Sequence, residues 1–155
     1  MIDITAKELL SAILNQMGVD FEKIEVDINE HTLRLNIISQ HSSLLIGYRG
    51  ETVNSFQHLL KSMLWKDLTE KSDLLVIVDV DNYKKRQEDN LYELAERKAV
   101  RVRETGEPEP MPPSMSSYQR RLVHTHFSVH PDFQDITTES IGEGMTRQLQ
   151  IKRKD

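Results

Sequence analysis

The chain contains no cysteine in its 155 residues. That excludes disulfides and thiolate metal sites, and it makes a reducing, cytoplasmic setting the expectation. It also lacks any apolar run near the ~20 residues of a membrane-spanning helix. Asp3, Lys7 and Glu8 interrupt the start of the chain, so no signal-peptide pattern is expected there. Internal repeats and low-complexity tracts are missing as well. A basic excess is the last absence: the net charge is −5, which argues against indiscriminate binding to polyanions.

The composition, 37% hydrophobic and 29% charged, fits a globular protein of one medium domain or two small ones. The charge is unevenly distributed. Residues 1–80 hold 7 basic and 12 acidic side chains, and residues 81–155 hold 13 of each. The clustered basic residues all lie in the second half: Lys84-Lys85-Arg86, Arg97-Lys98, Arg101 and Arg103, Arg120-Arg121, and Lys152-Arg153-Lys154. A polyanion site in such a chain must be local and helped by backbone donors.

Hydrophobic periodicity divides the chain near residue 80. Thr5-Ala6-Lys7-Glu8 has the form of a capping box. The predicted helix after it directs Leu9, Leu10, Ile13, Leu14 and Met17 toward a core, and Gly18 closes it. Ile24, Val26 and Ile28, then Leu33, Leu35 and Ile37, alternate around Asn29-Glu30-His31 and predict a hairpin with one wet face. Ser42 to Ile46 reads as a short helix and Leu74–Val78 as a buried strand. From Asp79–Asn82 the pattern changes to a long helix carrying Leu91, Leu94, Ala95, Lys98, Ala99 and Val102, ended by Gly106. The segment 108–113, rich in proline, is extended. Ser116-Ser117-Tyr118-Gln119 then offers a second capping box for a helix to Phe127, and strands are expected at 133–139 and 145–152.

Between the short helix and the next stands Gly47-Tyr48-Arg49-Gly50, followed by Val53, Phe56, Leu60 and Met63 on one face of a helix predicted to reach about Lys66. A glycine-bracketed turn feeding a helix N-terminus presents unpaired amides and a partial positive charge, both suited to phosphate. Glycine also removes the Cβ atoms that would hold a phosphodiester away.

The order helix, strand, strand, helix, G-x-x-G, helix, strand resembles a type II KH module (α-β-β-α-α-β) over about residues 4–80. The resemblance implies that Gly47, Tyr48, Arg49 and Gly50 clamp a single-stranded backbone, and that Ile46 and Val53 shape the groove floor beside it. Arg49 would supply a cation, and Tyr48 stands where lysine is common in relatives. It offers a ring for stacking instead of a charge.

In the second half, Arg120 and His124 are four residues apart and adjoin Arg121. Tyr118, Leu122, Val123 and His126 are expected on the buried arc of that helix, with Arg120 and His124 nearly opposite. The long helix, the Met111-Pro112-Pro113 segment, Ser116-Ser117-Tyr118-Gln119-Arg120-Arg121 and a terminal hairpin together resemble a single-stranded nucleic-acid domain named for its R-x-x-x-H motif, the R-three-H domain. A KH unit followed directly by this domain resembles the bacterial KhpB family, also called Jag or SpoIIIJ-associated. The resemblance implies an α+β fold, a KH domain at 1–80 and a small α/β R-three-H domain at 81–155. Arg120 would contact phosphate, His124 phosphate or base, and Arg121 would be a neighbouring contact.

The same resemblance implies a cytoplasmic single-stranded RNA binder, an RNA chaperone or post-transcriptional regulator, with a small KH-only protein as partner or a homodimer through the KH module. The resemblance also implies roles in cell shape and cell wall biogenesis; members usually carry a further N-terminal domain, which this chain is expected to lack. Two other readings stand beside RNA binding. One is a protein-interaction scaffold, suggested by the acidic first half; the other is single-stranded DNA binding, since no residue is assigned to a 2′-hydroxyl.

No metal, cofactor, membrane or small-molecule substrate is expected. His124 and His126 point ~200° apart on a helix, Asp132 lies beyond Pro131, and no Ser-His-Asp arrangement has supporting context. His126 is expected to be a packed core histidine, and the chain not to be an enzyme.

Overall fold

A computed structural model describes residues 2–29, 31–69 and 74–155, so Glu30 of the predicted hairpin turn lies outside the described residues. The chain forms two compact units, Met1–Lys85 and Arg86–Asp155.

The first unit opens with α1 (Ile2–Gln16), which buries Ile2, Ala6, Leu10 and Leu14. That stripe of spacing four explains why Thr5 lies inside the helix and not at its N-cap: burial of Ile2 extends the helix past the local capping signal. Met17, expected in the core, is exposed. Gly18, at φ 66°, ends the helix, and its amide donates to the Asn15 carbonyl.

Strands β1 (Lys23–Ile28) and β2 (Thr32–Ile38) pair antiparallel, with Ile24 opposite Ile37, Val26 opposite Leu35 and Ile28 opposite Leu33. β3 (Leu75–Val80) joins β2 in parallel, giving the order β1-β2-β3. Leu33, Leu35 and Ile37 meet Val76, Val78 and Val80 on one face, all fully buried in one core with α1 and the helices between β2 and β3. Each such aliphatic side chain gains about 1.5–3 kcal/mol from leaving water. The opposite face is wet along β1 only. On β2 and β3 it carries a buried polar set, Asn36 and Asp79 with Arg34.

Between β2 and β3 run α2 (Ser42–Ile46), a tight turn at Tyr48–Gly50, α3 (Glu51–Met63) and α4 (Trp65–Thr69). The helix predicted to reach about Lys66 is thus broken at Leu64. Leu64, four residues after Leu60, takes the buried place expected for Met63, which is exposed.

The second unit is built on α5 (Tyr83–Thr105), whose first turn lies before the division between units. It contributes Ala95, Ala99 and Val102 to a second core. The proline segment contributes a two-residue strand, β4 (Glu109–Pro110). α6 (Ser117–Val129) begins at the predicted capping box: Ser116 Oγ accepts from the Gln119 amide while the Gln119 side chain accepts from the Ser116 amide. β5 (Ile136–Ile141) and β6 (Gln148–Arg153) complete an antiparallel sheet of order β4-β6-β5. Met111, Val123, Phe127, Ile136, Leu149 and Ile151 fill the space between α6, α5 and this sheet.

Candidate nucleic-acid interface

In the first unit the glycine turn is fixed by its backbone. Gly47 adopts φ 72°, ψ −175°, and its amide donates to the Ser43 carbonyl. A Cβ there would lie 2.0 Å from Thr52 Oγ1 and 2.7 Å from Thr52 Cβ, so a side chain is excluded by space as well as by φ. Arg49 (φ 50°) and Gly50 (φ 83°) continue in left-handed conformations, and Gly50 is buried beneath the Tyr83 ring.

The result lifts Tyr48 and Arg49 outward. Tyr48 is 70% exposed, and the Arg49 guanidinium carbon lies 5.1 Å from its ring centroid. That is a cation–π pair presenting a stacking surface and a charge together. α3 starts directly after Gly50 with no side-chain cap on its first amides. Glu51 adds a negative charge to that first turn, opposing an anion there, and Arg49 offsets it. Ile46 is half-buried beside the turn. Val53, expected on the groove floor, is fully buried in the core and supports the turn from beneath.

In the second unit a cleft of about 460 Å³ lies between α6, β5 and the approach to β6, lined by Ser117, Arg120, Arg121, His124, Thr138, Ser140, Arg147 and Leu149. Among the described residues, three arginines and a histidine line it, and no carboxylate does. The His124 ring is held by a 2.7 Å hydrogen bond between Nδ1 and Thr138 Oγ1. Arg121 and Arg147 are exposed.

Arg120 departs from its expected place opposite the buried arc. The buried stripe of α6 is Val123 and Phe127, while Tyr118 is exposed. At ~100° per residue, Phe127 and Arg120 are only ~20° apart. Arg120 is therefore half-buried at the edge of that stripe; its Nη1 donates to the Met115 carbonyl at 2.6 Å and its Nη2 to Ser117 Oγ at 3.0 Å. It holds the chain leading into α6 as well as facing the cleft. Arg147, Thr138 and Ser140 were not legible as cleft residues. Thr138 and Ser140 share the inward alternation of Ile136 on β5, but nothing in a lone arginine before β6 announces that the hairpin returns it to α6.

Where the sequence sets His124 and His126 on opposed faces of a helix, the structure brings His126 together with His130. Glu96 of α5 meets His126 and His130, and the ligand atoms of the three residues lie within 4.8 Å of one another. His126 is half-buried and stacked on Tyr92, with ring centroids 4.7 Å apart. The i, i+4 spacing of His126 and His130 was a readable signal; the carboxylate 30 residues away was not.

A glycine-bracketed turn opening a helix over a β-β-α-α-β core, followed by an R-x-x-x-H helix on an antiparallel sheet, defines a protein of tandem KH and R-three-H domains. The KH domain of the KhpA/KhpB type matches residues 7–76, and the R-three-H domain matches residues 89–153. Three relatives named RNA-binding protein KhpB are similar over most of the chain. That of Bacillus subtilis is 33% identical over 84% of this chain and 61% of its own length. The Lactiplantibacillus plantarum protein is 30% identical over 93% and 42%, and the Clostridium symbiosum protein 27% over 96% and 65%. The chain belongs to the KhpB family. Its fold is α+β, and both its domains are of nucleic-acid-binding classes. It spans roughly half the length of these curated relatives, between 42% and 65%. Among the described residues, no helix is long and apolar enough to cross a membrane.

Proposed function

We propose that the chain binds single-stranded RNA through both domains and carries out no covalent chemistry. The observation that carries this reading is charge segregation: a protein of net charge −5 gathers Arg120, Arg121, Arg147 and His124 around one cleft that, among the described residues, no carboxylate lines. Such a surface fits a phosphodiester chain, and the Ser117, Thr138 and Ser140 hydroxyls supply neutral hydrogen bonds beside it. In the KH domain, the Gly47–Gly50 turn, whose two glycine amides are bonded to the Ser43 and Gly47 carbonyls, offers the Arg49 cation and the Tyr48 ring to a short stretch of bases and backbone. Two weak sites on one chain raise the effective concentration of RNA at each other, which suits an RNA chaperone or post-transcriptional regulator acting in the cytoplasm.

Leu59, Met63 and Trp65 are exposed on α3 and α4, and they favour a protein partner for the KH domain, a KH-only protein or a second copy. A scaffold without RNA affinity would use that face and leave the cleft idle.

Fluorescence anisotropy with a labelled single-stranded RNA separates these readings. Tyr48→Asp with Arg49→Asp, and separately Arg121→Glu with Arg147→Glu, should each weaken binding at least about tenfold without moving the melting temperature. Unchanged affinity in both variants leaves only the scaffold. Tighter binding to DNA of the same sequence transfers the proposal to single-stranded DNA.

A further inference from the structure

On the R-three-H domain, away from the arginine cleft, two imidazoles and a carboxylate converge. His126 and His130 are one turn apart on the last part of α6 and the residue that caps it, and Glu96 reaches them from α5. His126 Nε2 lies 2.8 Å from Glu96 Oε1, and all three ligand atoms fall within 4.8 Å of one another. A tetrahedral ion with bonds of about 2.0–2.2 Å needs its ligand atoms about 3.5 Å apart, so a rotation of His130 or Glu96 by about 1 Å closes the set.

We propose that Glu96, His126 and His130 form a binding site for a divalent first-row metal ion, for which zinc is the probe, clamping α5 to the end of α6. The donor set is nitrogen and oxygen with no thiolate, which suits Zn²⁺ and its neighbours and leaves a fourth position open to water. Side-chain exposures of 16% for His126 and 39% for Glu96 give a half-buried floor and an open approach from the Glu96 side.

The surroundings hold the ligands ready. His126 is stacked on Tyr92, and both histidines pack against the Phe133 ring, with centroids 6.4 Å and 5.2 Å away. What the ion must displace is small. His126 exchanges its hydrogen bond to Glu96 for a shared ion: a neutral ring with its proton on Nε2 shifts that proton to Nδ1, and only an imidazolium releases one to solvent. A neutral imidazole has one in-plane lone pair, so His130 gives up the 3.3 Å bond its Nδ1 accepts from the Asp132 amide. No electron transfer or covalent chemistry is involved, and the site stands independently of RNA binding.

The test uses the full chain, stripped with EDTA and dialysed, titrated with Zn²⁺ in a calorimeter and with Co²⁺ in a spectrophotometer. The expected result is one ion per chain, visible d–d bands of a four- or five-coordinate Co²⁺, and a raised melting temperature with Zn²⁺. Glu96→Gln, which keeps the shape and a hydrogen bond, and His130→Ala should each weaken binding at least about tenfold and abolish the thermal shift. Failure to bind one ion, or binding that both variants leave intact, overturns the site; the latter would assign the ion to other surface histidines.

Discussion

Gly47 shows how much of the candidate clamp rests on one missing side chain. Its φ of 72° with ψ of −175° belongs to a region that only glycine enters at low cost, and the space a Cβ would need is already held by Thr52. Gly18 also has positive φ, but a Cβ there meets nothing within 4 Å. At Gly18 the cost of a side chain is conformational alone; at Gly47 a rarer backbone region and the Thr52 contact add to each other. Gly18→Ala should cost about 1 kcal/mol, the left-handed penalty alone. Gly47→Ala should cost about 1–3 kcal/mol beyond that, because alanine pays more at ψ −175° than in the left-handed region and Thr52 must also move off the turn. Equal losses in urea midpoints would mean that Thr52 yields freely and the turn is less fixed than its geometry implies. At the same scale, Arg120 is a poor probe of binding: the Met115 carbonyl and Ser117 hydroxyl it bonds lead into α6, so removing it disturbs the helix start as well as the cleft. Arg121 and Arg147, both exposed, carry the cleaner test.

Between elements, two charged side chains fasten joints that the hydrophobic pattern does not reveal. Asp79, fully buried at the end of β3, receives the Val80 and Lys84 amides on Oδ1 and the Lys85 amide and Arg34 Nη1 on Oδ2. One carboxylate thus caps the start of α5 and neutralises an arginine that is only 17% exposed. Asp79→Ala should lower stability by about 3–5 kcal/mol, since it removes the acceptor of three amides and of Arg34 Nη1; Asp79→Asn, which keeps an acceptor, should lose less. A denaturation midpoint for Asp79→Ala within about 1 kcal/mol of the parent would remove the joint from this account.

The second joint is Arg103, whose Nε and Nη2 reach the Asp135 carboxylate at 2.9 and 2.5 Å. That hydrogen bond holds the Asp135 carboxyl below the ordinary aspartate range, against a smaller opposing effect of burial. A depressed folded pKa means the contribution is complete above the unfolded value of about 3.9 and fades as pH falls through the lower folded value. Asp135→Asn should therefore destabilise the protein at pH 6, and the gap should close in strong acid. The pair is partly exposed, so salt should narrow it too. A gap independent of pH would assign the effect to shape.

What was legible in the sequence follows from these cases. Alternation in 24–28 and 33–37, the apolar run at 74–78 and the Ser116 capping box are local signals, and they named β1, β2, β3 and the start of α6. Thr5 and Met63 misled because burial of Ile2 and Leu64 overrode local preference. Asp79, Arg147 and Glu96 act only through partners distant in the chain, and no local pattern carries that.

For the molecule as a whole, the acidic balance decides what binding must look like. With 25 acidic against 20 basic side chains, the proposed binding of RNA gains no net long-range attraction, so its affinity should come from few contacts at short range. If Arg49, Arg121, Arg147 and one of Arg120 or His124 each neutralise a phosphate, about three counterions leave a single strand, at ~0.7 per phosphate. The slope of log affinity against log salt is then about −3, well short of that for a strongly basic protein. The KH turn and the arginine cleft should subtract from it separately. Tyr48→Asp with Arg49→Asp should reduce the slope by about 0.7, and Arg121→Ala with Arg147→Ala by about 1.4, as each lost phosphate contact retains its counterion. Because both sites sit on one chain, losing either should also cost the effective concentration it gave the other, so affinity should fall more than the slope alone requires. A parent slope near zero would show that neither site neutralises phosphate. A slope lowered by only one pair of substitutions would confine RNA to a single domain and leave the other for a protein partner.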